Sequence, residues 1–487
     1  MLELANRALA VADGLGATYA DVRIVLQKQQ NIETKDLTVA DFSRGNAAGI
    51  GVRVLSGGWG FASTQLFTKA AVEKTVRLAV SAAKASRRCL DQEIDLVAEP
   101  RYRATWVSPH LLDPFSVSDD EKLALLFDCA RTMLAVKGIT LAKGYLSFVR
   151  ENKLFLSLWQ GELYSHIDQT FIRSSCGIEA NAKDANDQQK RSWPNSFGGQ
   201  HENAGWEMVQ RWSLRDNAQR IAEETVALLT APQCPSGVMR AVIGASQMGL
   251  QIHESCGHPT ELDRAIGQEA NFAGRSFLTT DMRDNLRYGS PIVNLVADAT
   301  AHSGLGGFAF DDEGVAAQCI PLVTNGIFKG YLSSRDTAPL VGLTRSGGCL
   351  RAEGANYQPI IRMTNINLLP GTGGSLDDLI EQCGDGVLME CNKSWSIDDR
   401  RYNFQFGMEI GWLIKNGKLA GMVKNPSYSG ITTEFWNSCQ AIGAAETYVL
   451  WGLPNCGKGQ PMQTMHTGHG ASPALFHDIK VGTAHGG

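Results

Sequence analysis

The feature that most constrains the fold is a cluster of chain-breaking residues near the middle of the sequence. Residues 230–237 read TAPQCPSG and directly follow a helical pattern. Proline and glycine at this density end a helix and favour an irregular connection between domains. Helical and strand-like periods alternate before this segment, whereas glycine is dense and the pattern mainly strand-like after it. We therefore predict an α+β protein with an N-terminal α/β domain, residues 1–232, and a β-rich C-terminal domain, residues 233–487.

The N-terminal half mixes both kinds of period. Apolar residues recur every three to four positions in four segments, which predicts helices over 2–15, 68–88, 119–136 and 214–229. Alternation of apolar and polar residues predicts strands over 20–27, 31–39, 49–55, 140–150 and 153–159. The last two strands, joined by Glu151-Asn152, resemble a hairpin. The polar and aperiodic segment 184–203 is predicted to be a loop.

The second half contains two Asn-Gly pairs, Asn325-Gly326 and Asn416-Gly417, each between strand-like runs. Asn-Gly readily adopts the positive φ angles of a two-residue hairpin turn. Both pairs therefore predict β-hairpins.

Composition excludes several classes of protein. Hydrophobic residues make up 43% and charged residues 20% of the chain, which is typical of a globular protein and excludes disorder. A net charge of −5 without a basic stripe argues against a nucleic-acid partner. No uncharged apolar run approaches 18 residues, so no membrane span is expected. The N-terminus reads as an amphipathic helix rather than a signal peptide, because Glu3 interrupts a short apolar run that no basic segment precedes.

The eleven cysteines are scattered and include no CxxC pair. This pattern disfavours the disulfide framework of a secreted protein and favours reduced, mostly buried thiols. We expect a cytoplasmic protein.

One segment carries a chemical motif, the HExxxH string from His253 to His258. Two imidazoles supply nitrogen ligands that suit zinc. Glu254 is well placed to take a proton from a water that the metal activates, as in HExxH peptidases.

The spacing of this motif is one residue longer than usual. Residues five apart on a regular helix differ by roughly 140° around the axis, so two such histidines cannot easily share one ion. Gly257 tolerates a distorted backbone, and Pro259 disfavours regular helix up to His258. We therefore expect either a π-type widening or an unwound helix before His258.

A catalytic zinc site needs a third protein ligand and an open fourth position. Spacing alone does not choose that ligand. The candidates are Glu261, Asp263, Glu269, Cys439, Cys456, His466 and His469.

Other motifs have simpler interpretations. The histidines of the C-terminal tail, His466, His469, His477 and His485, could form a second metal site or bind an oxyanion, but we favour a polar, partly exposed terminal segment. Asp311-Asp312-Glu313-Gly314 could bind a cation, but a solvated or capping turn is favoured. Trp395, Trp412 and Trp436 could form a substrate wall, although core packing is expected for at least two of them. The SGLGG segment at 303–307 lacks the strand-to-helix setting of a dinucleotide site.

Five motifs, taken in order, resemble the TldD/PmbA family, formerly called modulators of DNA gyrase. They are His253–His258, Asp311–Gly314, Ile361–Asn365, Asn403–Phe406 followed by Trp412–Gly417, and the Cys456 loop. The resemblance covers nearly the whole chain and is strongest over 235–482.

The resemblance implies a zinc metallopeptidase of the TldD type. It implies His253, His258 and Cys456 as zinc ligands and Glu254 as the catalytic general base. Expected substrates are short or unfolded peptides, leader peptides or peptide-like biosynthetic intermediates, cleaved inside a closed dimer chamber. The implied partner is a second copy of the chain or a metal-free PmbA/TldE-like subunit. The alternative is a non-catalytic peptide-binding or regulatory subunit of such a heterodimer. Retention of all four site residues favours the enzyme.

Overall fold

The computed structural model describes residues 1–271 and 274–483, and an eight-stranded sheet dominates its N-terminal part. The helices of this part are α1 (Leu2–Gly14), α2 (Lys69–Ser86), α3 (Asp119–Ala135), α4 (Trp206–Arg211) and α5 (Leu214–Thr230). Its strands are β1 (Tyr19–Lys35), β2 (Thr38–Ser56), β3 (Gly58–Thr64), β4 (Arg103–Val107), β5 (Ile139–Trp159), β6 (Glu162–Lys183), β7 (Gln188–Trp193) and β8 (Gln200–Glu202). Their order is β3-β2-β1-β5-β6-β4, and β7 and β8 also pair with β6.

The helices cover one face of this long sheet in two groups. Successive strand residues point to opposite faces, so the even-numbered residues of β1 and β5 share a face. Val22 and Leu156 belong to the apolar cluster formed with α1 and α2. Ile32 and Leu146, farther along the same strands, belong to the cluster formed with α3, α4 and α5. Strands of this length therefore support two separate apolar cores.

The opposite face of the sheet carries charged residues that bind the C-terminal part of the chain. Lys153 Nζ lies 2.7 Å from an oxygen of Asp312, and Arg53 Nη2 lies 3.5 Å from an oxygen of Glu313. Both carboxylates are buried. The turn at this motif is confirmed, with Gly314 at φ +79°. Of the two forms expected, the capping turn is confirmed, since Oδ1 of Asp311 accepts hydrogen bonds from the backbone N–H groups of Glu313 and Val315. The solvated form is wrong, because Asp312 and Glu313 pair with cations of the N-terminal sheet.

Several sequence-based element predictions are wrong in this part. β1 runs unbroken from the strand predicted at 20–27 into the one predicted at 31–39, but it ends at Lys35, and a turn leads into β2 at Thr38. β5 runs through the predicted hairpin at Glu151-Asn152. Glu151 does not mark a turn, because it lies on the face of β5 that carries Lys153 and meets the C-terminal part. The segment 184–203 is not simply a loop, since β7 and β8 lie within it. The four predicted helices are confirmed as α1, α2, α3 and α5.

The C-terminal part is rich in strands, which confirms the α+β class. Its helices are α6 (Ala245–Ile252), α7 (Leu262–Ala265), α8 (Leu376–Cys383) and α9 (Thr432–Asn437). Its strands are β9 (Gly237–Ile243), β10 (Leu295–Asp298), β11 (Cys319–Thr324), β12 (Ile327–Phe328), β13 (Leu350–Arg351), β14 (Ile360–Ile361), β15 (Ile366–Leu368), β16 (Gly386–Ile397), β17 (Asn403–Lys415), β18 (Lys418–Val423), β19 (Pro426–Ile431), β20 (Cys439–Ile442), β21 (Val449–Lys458), β22 (Gln463–Ala471) and β23 (Ala474–Thr483). The predicted boundary at 232/233 falls between α5 and β9.

The largest C-terminal sheet has the order β16-β9-β23-β19-β17-β18. An additional pairing of β16 with β17 closes five of these strands into a ring. Both Asn-Gly hairpins are confirmed: Asn325-Gly326 joins β11 to β12, and Asn416-Gly417 joins β17 to β18. All four turn residues have positive φ, as this turn type requires.

All eleven cysteines are free thiols, and only Cys89 and Cys319 are exposed. In the part of the chain that the structure describes, no helix combines the length and apolar character needed to cross a membrane.

Candidate metal centre

The helix that carries the HExxxH motif widens at the motif. α6 is regular through Ile252, the next five residues, His253–Gly257, form a π turn, and His258–Thr260 form a 3₁₀ turn. The wider turn takes up the extra residue of the motif. The two imidazole rings consequently face the same region, with centroids 4.7 Å apart. The distortion predicted from the spacing is confirmed.

Gly257 is needed for packing rather than for an unusual backbone angle. Its φ and ψ of −57° and −64° are open to any residue. A Cβ at this position, however, would lie 2.0 Å from Sδ of the fully buried Met363. The absence of a side chain therefore lets the segment around β14 approach the π turn.

A hairpin from the far end of the chain brings Cys456 to the histidines. Cys456 lies on β21 opposite Met465 of β22, just after an irregularity in the strand register. Such irregularities re-aim side chains and are frequent beside functional sites. Cys456 Sγ is 3.6 Å from Nε2 of His258. Ligand atoms of His253, His258 and Cys456 all lie within 4.8 Å of one another, and all three residues are buried.

The electrostatic surroundings favour metal-binding forms of these groups. Burial lowers the pKa of His253 and of His258 to about 4, so both imidazoles are neutral at pH 7. Burial acts to raise the pKa of the Cys456 thiol, but Arg362 and then His258 outweigh it, and the net pKa is lowered. Neutral imidazoles and an acidified thiol are the forms that bind a metal.

Both histidines are oriented by further buried side chains. Nδ1 of His258 is 3.0 Å from Oε2 of Glu261, which leaves Nε2 on the side of Cys456. Nδ1 of His253 is 2.8 Å from Nε2 of His469. Partners on the second ring nitrogen fix the tautomer and orientation of metal-binding histidines.

Four buried charges lie behind His258. Lys458 Nζ is 2.7 and 2.8 Å from the two oxygens of Asp263 and 3.4 Å from Oε2 of Glu261, and Nε of Arg264 donates to the same oxygen of Glu261 at 2.7 Å. Burial raises the pKa of Asp263 to about 6 against the opposing effect of Lys458. For Glu261 the cations outweigh burial, led by Lys458, and its pKa falls well below the usual range. The two carboxylates are thus engaged by cations.

Glu254 is held by an arginine from another part of the chain. Nη1 of Arg401 donates to Oε2 of Glu254 at 2.7 Å. Arg401 lies in the turn between β16 and β17 at φ +65°, a conformation that is strained for a residue with a side chain. Asp398 stabilises this turn by accepting a hydrogen bond from the backbone N–H of Tyr402 at 2.7 Å. The turn therefore fixes the orientation of one carboxylate oxygen of Glu254.

The structure distinguishes the candidate third ligands. Glu261 lies on the Nδ1 side of His258, away from Cys456, and Asp263 faces Lys458. Cys439 packs in the apolar core. Among the described residues, only His253, His258 and Cys456 form a cluster with metal-ligand spacing.

The tail histidines have different surroundings. His469 is buried beside His253, so the prediction of a partly exposed residue is wrong for it. His466 and His477 are both half-buried, and His477 is paired with Asp478 at 2.7 Å, as predicted for a polar, partly exposed segment. His485 lies outside the described residues.

Two of the three tryptophans pack as expected. Trp436 is fully buried in the main core, and Trp412 packs partly buried against a smaller apolar cluster. Trp395 is 45% exposed and contacts Phe197 edge to face, with ring centroids 5.4 Å apart.

Sequence reasoning missed Arg401, Lys458 and the supporting role of Glu261. Arg401 contacts a residue 147 positions away, and Lys458 contacts one 195 positions away. The only local indication for Lys458 is its place two residues after Cys456.

Comparisons with known proteins place the chain in a family of metallopeptidases. Residues 236–483 match the family model described as the PmbA/TldA metallopeptidase C-terminal domain, and residues 20–83 match domain 1 of the same metallopeptidases. A metalloprotease from Methanothermobacter thermautotrophicus is 30% identical over 95% of each chain. A zinc metalloprotease TldD homolog from Saccharolobus solfataricus is 22% identical over 97% of this chain and 98% of that protein. The crystal structure of TldE from Thermococcus kodakarensis superposes with a TM-score of 0.71 at 14% identity, covering 98% of this chain and 99% of that one.

Proposed function

Because this chain belongs to the TldD/PmbA family of metallopeptidases, we propose that it is a zinc-dependent peptidase. Its substrates are amide bonds of short or unfolded peptides, leader peptides or peptide-like biosynthetic intermediates. His253, His258 and Cys456 hold the zinc, and Glu254 is the general base. The observation that carries the proposal is the convergence of two imidazoles and a thiol, with Cys456 lying 198 residues after His258.

The donor atoms fit zinc better than a hard cation. Calcium and magnesium prefer oxygen ligands, whereas zinc accepts imidazole nitrogen and thiolate sulfur. The nearby carboxylates are engaged: Glu261 and Asp263 bind Lys458, and Glu254 binds Arg401. Three protein ligands are also the number found in catalytic zinc sites, which keep a fourth position open.

Different residues of the chain have different roles in hydrolysis. Zinc, when bound, supplies Lewis acidity toward the scissile carbonyl and the attacking water. Glu254 accepts the proton of that water and passes it to the leaving amine. Arg401 occupies Oε2 of Glu254, which leaves Oε1 for the proton transfer. Glu261 and His469 keep the two imidazoles in their orientation.

Restricted access supports peptides rather than folded proteins as substrates. His253, Glu254, His258 and Cys456 are each no more than 5% exposed. A folded surface cannot present a peptide bond to groups at this depth, whereas an extended chain can. The thiol side chains, all free, are consistent with a reducing cytoplasm.

We also propose that the active form is a dimer, in which the partner is a second copy of the chain or a metal-free PmbA/TldE-like subunit. The similarity in fold to TldE over nearly the whole chain supports this pairing, since two chains of one fold readily form a symmetric or pseudo-symmetric dimer. Light scattering after size exclusion should give the mass of two chains, and a fully active monomer would remove this part of the proposal.

The test of the proposed function is metal content followed by turnover. Elemental analysis of the purified chain, alone and with any co-purifying partner, should give about one zinc per chain, as three ligands around one position imply. His258→Ala should lose that zinc. Glu254→Gln should retain it and lose peptide hydrolysis, because glutamine keeps the hydrogen bonding but cannot act as a base.

Two results would overturn the proposal. Failure to take up zinc, even with partner and added metal, would favour a non-catalytic subunit. Normal turnover by Glu254→Gln would exclude Glu254 as the base. Glu353→Gln, at an exposed carboxylate outside the metal centre, serves as the matched control and should leave zinc content and turnover unchanged.

A further inference from the structure

A cavity of about 700 Å³ lies beside the metal centre and is not used by the mechanism above. Ile266, Phe277, Met282 and Leu286 form its apolar side. Arg275 and Arg400 form its polar rim, and both are exposed. A volume of this size is within the range of pockets that hold small ligands or a few residues of a peptide.

Two hydrogen bonds join the walls of this cavity to chain segments that carry residues of the metal centre. Ser276 Oγ donates to the carbonyl oxygen of Pro259, the residue after His258, at 2.6 Å. The backbone N–H of Phe277 donates to the carbonyl oxygen of Arg400 at 2.9 Å. The residue that follows Arg400 is Arg401, which binds Glu254. The cavity wall is therefore joined to the residues next to His258 and Arg401. A peptide bound at Glu254 would extend along these two segments to reach the cavity.

The charged residues that line the described part of the cavity are all positive. Its described lining contains three arginines and no aspartate or glutamate. Arg264 is already compensated by Glu261, at 2.7 Å. Within residues 1–271 and 274–483, the guanidinium groups of Arg275 and Arg400 make no hydrogen bond or ion pair. Asp399, next to Arg400 in sequence, is exposed and does not line the cavity.

We propose that Arg275 and Arg400 form an acid-specific subsite, so that the enzyme prefers peptides with glutamate or aspartate close to the scissile bond. This inference rests on the proposed function. Arginine binds carboxylates with paired, charge-assisted hydrogen bonds, and the apolar wall accommodates the methylene groups or an adjoining apolar residue. A basic side chain in the same place would meet two uncompensated positive charges.

Kinetics on matched peptides test the proposal. One peptide series carries a single Glu, Gln or Lys at successive positions on either side of a fixed scissile bond. At one position we expect kcat/KM to be at least tenfold higher for Glu than for Gln, and lowest for Lys. The preference should weaken as ionic strength rises, because the rim is exposed to solvent. The double variant Arg275→Glu, Arg400→Glu should reverse the order and favour Lys.

The control is Arg77→Glu with Arg88→Glu, which makes the same change in net charge at two exposed sites in the N-terminal part. This variant should keep the preference for Glu. Equal cleavage of Glu and Gln peptides by the wild-type enzyme, or an unchanged preference in the Arg275/Arg400 variant, would overturn the subsite. Absence of hydrolysis of every peptide would instead contradict the proposed function.

Binding affinities of the peptides test the subsite without any turnover. Fluorescence anisotropy with labelled versions of the same peptides should show at least tenfold tighter binding of the Glu peptide than of the Gln peptide. The Arg275/Arg400 variant should lose this difference and the Arg77/Arg88 variant should keep it. Equal affinities in the wild-type protein would reject the subsite even if no peptide is cleaved.

Discussion

Adding one methyl group at Gly257 should disturb the metal centre without touching a ligand. The backbone at Gly257 is helical, so Gly257→Ala introduces no strain in φ or ψ and gains up to about 1 kcal/mol in helix propensity. The new Cβ would lie 2.0 Å from Sδ, 3.2 Å from Cγ and 3.3 Å from Cε of Met363. The perturbation is therefore steric and directed at one side chain.

The expected magnitude follows from this overlap. Methionine has three rotatable bonds, so its thioether can turn aside, but Met363 is fully buried and a new rotamer must displace its neighbours. Overpacking of a well-packed core costs about 1–3 kcal/mol. An approach of 2.0 Å places this clash in the upper half of that range, about 2–3 kcal/mol, so subtraction of a helix gain of about 1 kcal/mol leaves a net cost of about 1–2 kcal/mol. Because His253 begins the π turn and His258 follows it directly, this cost should weaken zinc binding by roughly five- to thirtyfold.

Competition with a chromophoric chelator measures this change in zinc affinity. Gly249→Ala is the matched control, because Gly249 lies in the regular part of the same helix and its Cβ would meet nothing closer than 3.5 Å. That variant should bind zinc as tightly as the wild-type chain. The double variant Gly257→Ala, Met363→Ala removes all three clashing atoms and should recover much of the affinity lost in Gly257→Ala alone. Equal affinity of the Gly257→Ala and Gly249→Ala variants would refute the steric argument.

Two further predictions concern the thiol and a buried histidine. Cys456→Ser should weaken zinc binding at least tenfold, because a hydroxyl is a poor replacement for thiolate. The control Cys319→Ser, at an exposed thiol, should bind zinc as tightly as the wild-type chain. Undiminished zinc content in Cys456→Ser would point to another third ligand. Burial lowers the pKa of His201 from 6.5 to about 4, so on acidification the unfolded chain takes up this proton before the folded chain does. The neutral, buried His201 therefore contributes on the order of 3 kcal/mol to the free energy of unfolding. This contribution is complete above about pH 6.5 and is lost as the pH falls toward 4. Guanidinium unfolding of His201→Gln at pH 7 and pH 4.5 should therefore show a smaller loss of stability on acidification than the wild-type chain, and an equal loss would show that His201 does not titrate in this way.

The features that depend only on neighbouring residues were predicted correctly from the sequence. The spacing of His253 and His258, with Gly257 and Pro259 nearby, predicted a distorted helix because five residues do not fit a regular turn and a half. The Asn-Gly pairs predicted hairpins because both residues tolerate positive φ. These features depend on a few neighbouring residues, and the structure contains them.

Features that depend on distant partners escaped prediction. Glu151 resembles a turn residue in the sequence, yet it lies within β5 on the face that carries Lys153 and the contact to Asp312. Nothing in the neighbouring sequence distinguishes Arg401 from the other arginines, and only the turn after β16 places it against Glu254. No pattern within a short window specifies these contacts, because the fold alone creates the surface that they share.

The buried charges behind His258 offer a physical reason why Cys456 reaches the metal centre. Buried ion pairs give little net stability, since the loss of hydration offsets their attraction. Lys458, however, lies two residues beyond Cys456 on β21, and Asp263 lies five residues beyond His258. The contact between Lys458 and Asp263 at 2.7 Å therefore ties the strand of the thiol to the segment that follows the histidine, while Arg362 donates to the carbonyl oxygen of Cys456 itself.

A shift of β21 by one residue would turn Cys456 to the other face of the hairpin and would leave Asp263 buried without Lys458, whereas Glu261 would keep Arg264. Leaving a buried charge without its partner costs about 3–5 kcal/mol, more than the pair contributes when intact. We infer that this cluster favours the observed register of β21, because the alignment that brings the sulfur of Cys456 to the histidines is also the one that pairs Lys458 with Asp263.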